Sequence, residues 1–222
     1  ASQHMSHVAT KSGVPVGFWR SVGHSHNAFF VECFADELAH SQQQDPLAFR
    51  LDHLTHGPSR KVLETVAEMS GWGTIRPGRA QGLAFCLSFG VPVAQVIEVE
   101  DTPGGLRLTG AWIAADVGIA LDPGTIEAQL QGAMVYGLSA AIRGEITFAD
   151  GAIEQRNFGD VPMLRNEQIP PIEVAFLTPD YPVTGLGEPA YPAVAPALAN
   201  AIFAATGVRL RKLPLDVSLL KA

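Results

Sequence analysis

"LRLTGAWIAADVGIALDPGTIEAQLQG" occupies residues 106–132, and its reading decides the fold. The first half alternates apolar and small residues around Leu106, Leu108, Trp112 and Ile113, the pattern of a strand. Asp122–Pro123 then forms an N-cap and N1 pair. The aspartate carboxylate can accept from the first free helix amides, and proline's fixed φ suits the first turn. A helix is therefore expected over roughly 123–142. Gly132, Ala133, Gly137 and Ala140 along it predict close approach of a neighbouring backbone. Glycine inside a helix costs up to ~1 kcal/mol relative to alanine, so two of them imply a packing requirement.

Outward from this strand–helix unit the chain divides by period. "AQVIEVE" (94–100) and "LRLTGAWIA" (106–114) flank "DTPGG", a hairpin turn, and strand character begins near Gly82. Upstream lie three expected helices. Ser25 would cap the first, "HNAFFVECFADELAHS", with Phe30, Val31, Phe34 and Leu38 on one face; Phe30, Phe34 and Trp112 read as core. Asp45–Pro46 opens the second, and Ser59 the third, where Val62, Leu63, Val66 and Met69 align and Gly71 stops the run. Downstream come a hairpin turning at Asp150–Gly151, a strand in "PPIEVAFLTP", and a helix from Pro196 to Gly207. The fold class is α+β: a helical N-terminal segment followed by a mixed sheet with hairpins and packed helices. Residues 1–12 read as a tag or flexible lead-in, 13–80 as the helical segment, and 81–222 as the strand-rich body.

The 222 residues are 47% apolar and only 17% charged, with a net charge of −7. The fifteen Lys and Arg are scattered, which offers no footprint for nucleic acid. The two most apolar stretches, 82–99 and 191–208, are interrupted by Gly90, Pro92, Gln95, Pro192, Pro196 and Asn200, so no transmembrane segment is expected. Cys33 and Cys86 lack metal spacing and read as buried apolar residues. His24 and His26 lack a third ligand for zinc. A serine hydrolase lacks its Gly-x-Ser-x-Gly elbow.

One carboxylate stands out. Glu188 lies in "PVTGLGEPAYPAVAP" (182–196) with no other charge in fifteen residues. A buried carboxylate without a partner is costly, so Glu188 is either a turn residue that reaches water or a functional group. Two further segments share this functional composition: "PVGFWRSVGHSHN" (15–27) and the turn and helix already quoted, with Gln129 and Gln131 in the second turn. Taken singly, Arg20 reads as a surface ion pair or anion site, and Gln129 as an exposed helix residue.

In this order the three segments resemble the molybdenum-binding subunit of the xanthine dehydrogenase and aldehyde oxidase family, in the branch of the isoquinoline 1-oxidoreductase beta subunits. "GFWRSVG" resembles the family's Ala-Phe-Arg-Gly-Phe-Gly, with Ser21 where the family has glycine. "DVGIALDPGTIEAQLQG" resembles its Asp-x-Gly…Asn-Pro…Gln-x-Glu-Gly, with Gln131 at the acidic position. "GLGEP" resembles its Val-Gly-Glu-Pro loop. The resemblance implies a C-terminal portion of a molybdenum hydroxylase large subunit, oxidising an N-heterocycle or an aldehyde. Glu188 would be the base toward a hydroxyl on molybdenum, and Phe18, Trp19, Arg20, Gln129 and Gly187 would contact the cofactor. It implies molybdopterin in its cytosine dinucleotide form, held through its own dithiolene without protein metal ligands. Iron–sulfur clusters would sit on a separate small 2Fe–2S subunit.

The family's Met-Gly-Gln-Gly and Gly-Gly-Phe-Gly segments are absent from the sequence. The expected partners are therefore the remaining N-terminal part of the molybdenum subunit, the small subunit and a small-molecule substrate. The alternative is a catalytically silent fragment or separate subunit that associates with a chain completing the site. Either way, the surplus of apolar residues is what a surface covered by further polypeptide would show.

Overall fold

The structure, a computed structural model, describes residues 13–182 and 184–215, with residues 4, 6, 8 and 11. Most of the expected 1–12 lead-in therefore lies outside the described residues. At the centre is a four-stranded sheet in the order β1-β2-β3-β6. Strands β1 (Arg79–Ser88), β2 (Val91–Thr102) and β3 (Gly105–Asp116) form an antiparallel meander. Strand β6 (Ile172–Leu177) lies parallel to β3. A parallel neighbour requires a crossover, and α4 (Pro123–Arg143) supplies it. Two further strands, β4 (Phe148–Ala149) and β5 (Ala152–Ile153), are the short hairpin expected at Asp150–Gly151, both of which have positive φ.

Helices cover both faces of the sheet. On one face α4 and α5 (Val194–Thr206) pack over Ala84, Val93, Ile97 and Ile113. On the other, Val62, Leu63 and Val66 of α3 (Gly57–Ser70) meet Leu83, Ala94, Val96 and Trp112. Residues alternate between these two cores along each strand because the side-chain period is two. Nine consecutive residues of β2, Val91–Val99, are buried, as a strand sandwiched between helices requires. The small residues of α4 divide. A Cβ on Gly137 would fall 2.7 Å from Val194, so this glycine admits α5, whereas Gly132 faces open space.

The caps at Asp45 and Asp122 form as the sequence indicates, accepting from Leu47, Ala48 and Thr125 amides. Helix α2 (Pro46–His53) starts at its proline, and Gly71 and Gly207 end α3 and α5. Helix α3 begins at Gly57, two residues before the expected Ser59.

Helix α1 (Gly23–Ser41) departs from expectation in two ways. Its N-cap is Val22, with no side-chain cap bond, and the Ser25 hydroxyl donates back to the Val22 carbonyl at 2.7 Å. Its sides are also reversed. Phe30, Val31, Phe34 and Leu38 are exposed, while Ala28, Phe29, Glu32, Asp36 and Ala39 face inward. Periodicity located the stripe correctly but could not say which side met the core. Polar anchoring decided it. The Glu32 carboxylate accepts from Arg50 Nε and from the Phe85 amide, each at 2.8 Å, joining α1 to α2 and β1. Asp36 accepts from Arg209 at 2.6 Å.

Removing one member of a buried ion pair strands the other in a low dielectric. Glu32→Ala is therefore expected to lower the unfolding free energy by about 3–5 kcal/mol. Val31→Ser, one residue along on the exposed side, should change it by less than about 0.5 kcal/mol. Urea unfolding followed by circular dichroism reads both, and equal costs would contradict the inverted packing of α1.

Candidate active site

Strands β3 and β6 run parallel, so the segments leaving their carboxyl ends emerge on the same edge of the sheet. In open α/β sheets ligands bind outside the carboxyl ends of parallel strands, and β3 and β6 are the one such pair in this sheet among the described residues. The β3–α4 turn carries Gln129 on the helix it opens, and the 178–193 loop after β6 carries Glu188. The two are fastened together at their roots. The Val117 amide donates to Leu177 O at 3.0 Å and the Ile119 amide to Tyr181 O at 3.1 Å. The Tyr181 hydroxyl donates to the Asp116 carboxylate. Burial and that carboxylate push the Tyr181 phenol up to about 12, so it remains a donor at any working pH. Further along the loop, the buried Gln95 side chain donates from the middle of β2 to Ala190 O at 2.5 Å.

Residues 19–21, at the entrance to α1, close over this loop. Arg20 Nε donates to Gly187 O at 2.7 Å, and its Nη2 lies 3.4 Å from Gln129 Oε1. The Ser21 amide donates to Glu188 Oε1 at 3.0 Å, and the Ser21 hydroxyl to Glu188 O at 2.6 Å. The Tyr191 amide also donates to Glu188 O, at 3.1 Å. Trp19 Nε1 donates to the Tyr191 hydroxyl at 2.7 Å, and the Trp19 ring stacks on Tyr136 with centroids 5.6 Å apart. Burial pushes the Tyr191 phenol above its ordinary range. The Arg20 guanidinium lies 5.9 Å from the Tyr136 centroid, within cation–π range.

Glu188 therefore does have a partner, and it is a main-chain amide rather than a counter-charge in its own segment. Reaching the carboxylate puts Ser21 at φ 71 and Val22 at φ 50. These are left-handed values that serine and a β-branched residue adopt at a cost of ~1–3 kcal/mol each. Ser21 is fully buried, so the surrounding contacts hold it there.

Of the residues singled out from sequence, Trp19, Arg20, Gln129, Gly187 and Glu188 meet in this cluster. Phe18 does not join it: its side chain makes no contact there and it is 94% exposed. Gln131 turns aside and donates to Glu127 at 3.0 Å. Gln95, Tyr136 and Tyr191 were not singled out from sequence, and Ser21 was named only for standing where the family has glycine. Tyr136 could have been found, since it stands seven residues after Gln129 on the same helix face. Gln95 showed only as an interruption in an apolar run. Among the described residues, no group of three or more His, Cys, Asp or Glu stands close enough to hold a metal ion. Cys33 and Cys86 are unpaired, and burial pushes both thiols up to about 12, which leaves them protonated and poorly nucleophilic.

Residues 27–170 match the molybdopterin cofactor-binding domain family. Isoquinoline 1-oxidoreductase subunit beta of Brevundimonas diminuta is 34% identical over 98% of this chain, which spans 29% of that protein. The membrane-bound aldehyde dehydrogenase (pyrroloquinoline-quinone) of Gluconacetobacter polyoxogenes is 34% identical over 89% of the chain, again spanning 29% of the relative. The solved aldehyde oxidoreductase of Desulfovibrio desulfuricans superposes with a TM-score of 0.72 at 13% identity, over 89% of this chain and 40% of that one. The last likeness concerns the fold alone. This chain thus spans less than a third of each of these two sequence relatives.

Substitution separates the Ser21 hydroxyl bond from the strain of its positive φ. Ser21→Ala removes the hydroxyl bond but keeps a Cβ at positive φ, for a loss of about 1 kcal/mol. Ser21→Gly removes the same bond and relieves the left-handed strain, so it should be the more stable variant by roughly 1 kcal/mol. Chemical denaturation of both decides, and the reverse order would show that Ser21 is not held at positive φ.

Proposed function

Since the chain belongs to the molybdopterin cofactor-binding domain family, we propose that it forms part of the active site of a molybdenum hydroxylase large subunit. The enzyme would hydroxylate an N-heterocycle or oxidise an aldehyde, with Glu188 as general base. The observation that carries this reading is the clasp on Glu188: one carboxylate oxygen held at 3.0 Å by the Ser21 amide, beside Arg20, Gln129 and Gly187.

The residues present fit an anionic, hydrogen-bonding cofactor. Gly187 is exposed, and a Cβ there would meet only Gln129 Oε1, at 4.0 Å. No side-chain carbon therefore blocks approach to the loop. Arg20 offers a guanidinium, and Gln129 an amide whose Nε2 makes no hydrogen bond among the described residues. Gly187, Arg20 and Gln129 would hold the molybdopterin group, in its cytosine dinucleotide form. When bound, that group supplies two-electron redox chemistry and the oxygen delivered to the substrate carbon.

The work of the chain itself is positional. With Oε1 engaged by the Ser21 amide, the other carboxylate oxygen is the one that takes a proton. A pre-oriented base avoids the entropy cost of finding its geometry. Arg20 locks the Gly187 carbonyl and so fixes the backbone on which Glu188 stands. Trp19, Tyr136 and Tyr191 form a continuous aromatic wall at one side of the loop. The electrons would leave through iron–sulfur clusters on a small 2Fe–2S subunit. The remaining N-terminal part of the molybdenum subunit would complete the cradle. Residues 13–80 contribute the Trp19–Ser21 side of the site and 81–222 the Gln129 and Glu188 side, so the chain alone is expected to be inactive.

In the molybdenum-loaded enzyme containing this chain, Glu188→Gln should lower kcat by on the order of 10²–10⁴ while molybdenum content is unchanged. Unaltered turnover would overturn the assignment of the base. Arg20→Ala should instead lower the molybdenum retained per protein. Arg20→Lys should recover only part of it, because an ammonium cannot reproduce the planar fork; metal analysis of the purified variants reads this.

A further inference from the structure

We propose that the outward face of α1 is the seam against which the remaining polypeptide of the molybdenum subunit packs. The inference rests on the reading that further polypeptide completes this chain, and it assigns the contact surface. Phe30 and Val31 are 60% and 62% exposed, and Phe34 and Leu38 58% and 37%. They recur at i, i+1, i+4 and i+8, which makes one stripe on one side of the helix. Phe30, Val31, Phe34, Ala35 and Leu38 enclose a shallow depression of about 460 Å³. A second groove of about 370 Å³, between Phe34 and Leu210, adjoins it.

The reversal of α1 makes this stripe informative. The inward side of the helix uses two carboxylates, each bonded to a buried or half-buried arginine. The outward side carries Phe30, Val31, Phe34 and Leu38, and of the large apolar groups only Phe29 faces the core. A helix that served only this fold would be amphipathic the other way round. The outward face is therefore suited to a second surface, and contiguous apolar patches of this kind mark interaction sites.

Three occupants compete, and the chemistry separates them. A membrane-surface helix presents Lys and Arg on its polar side. Helix α1 has none, and it carries Glu32, Asp36 and Glu37. A symmetric dimer through one helical stripe falls short of the ~800 Å² per partner that stable interfaces bury. The remaining candidate is further chain of the same subunit. The fold occupies only 29% of the Brevundimonas diminuta subunit and 40% of the Desulfovibrio desulfuricans chain, so in both a larger body of polypeptide accompanies it. The stripe spans about 12 Å of α1, and from Phe30 the helix leads back about another 12 Å to Val22, next to the exposed Trp19 and half-buried Arg20 of the site. Polypeptide laid along it would arrive where the cradle is incomplete.

The test co-produces the tagged chain with the part of the Brevundimonas diminuta subunit beta that this chain does not match. The unaltered chain and Phe158→Glu, a change at a 95% exposed position on another element, should both co-purify with it. Val31→Glu and Phe34→Glu should weaken association by about tenfold or more. Circular dichroism and urea midpoints matching the unaltered chain confirm that these surface variants fold. Association of both variants at unaltered strength overturns the proposal, as does failure of the unaltered chain to associate. It is equally overturned by a dimer of the chain alone that Phe34→Glu splits, or by binding to anionic vesicles that the same variants abolish. The readout is association, so activity lost or kept in Glu188→Gln bears on the base and leaves the seam untouched.

Discussion

The clasp between Ser21 and Glu188 ties the two ends of this chain together across 167 positions of sequence. Its geometry governs what surrounds it. To present its amide to the carboxylate, Ser21 must take a left-handed conformation, and Val22 follows it there. That turn sets the direction in which α1 leaves the site. Helix α1 is then held by Glu32 on Arg50 and the Phe85 amide, and by Asp36 on Arg209. The strain at the turn and the polar anchoring of the helix are two parts of one arrangement.

The sheet contributes the other side. Because β6 joins β3 in parallel, two connections open at one edge, and the Asp116–Tyr181 bond closes them into a single wall. Gln95 reaches from the buried centre of β2 to the backbone just past Glu188. The catalytic candidate therefore stands on a loop pinned at Tyr181, Gly187, Glu188 and Ala190. A side chain argued to move a proton gains most from such fixing, since each contact is made before substrate arrives.

Much of this was legible in the sequence, for local reasons. Asp45–Pro46 and Asp122–Pro123 announced helix starts because capping depends on neighbouring residues alone. The Asp150–Gly151 turn was readable for the same reason. The β1–β2 turn was not, because Phe89 takes a positive φ there without an Asn or Asp to signal it. The side of α1 that meets the core was misread for a different reason. Its stripe was visible, but the partners that decided the matter, Arg50, Phe85 and Arg209, are distant in sequence. In the site, Arg20, Gln129 and Glu188 were drawn out by motif order, and the structure brings them together. Gln95 and Tyr191 left no local signal, because their roles exist only once β2 and the loop are packed.

The central claim is that the Ser21 amide holds the Glu188 carboxylate, and a backbone proton spectrum tests it most directly. In the isotopically labelled chain, the Ser21 amide proton should lie downfield. Glu188→Gln should move it upfield, because a neutral amide oxygen is a weaker acceptor than a carboxylate, while distant amides stay in place. A Ser21 amide that is insensitive to Glu188→Gln would contradict the account.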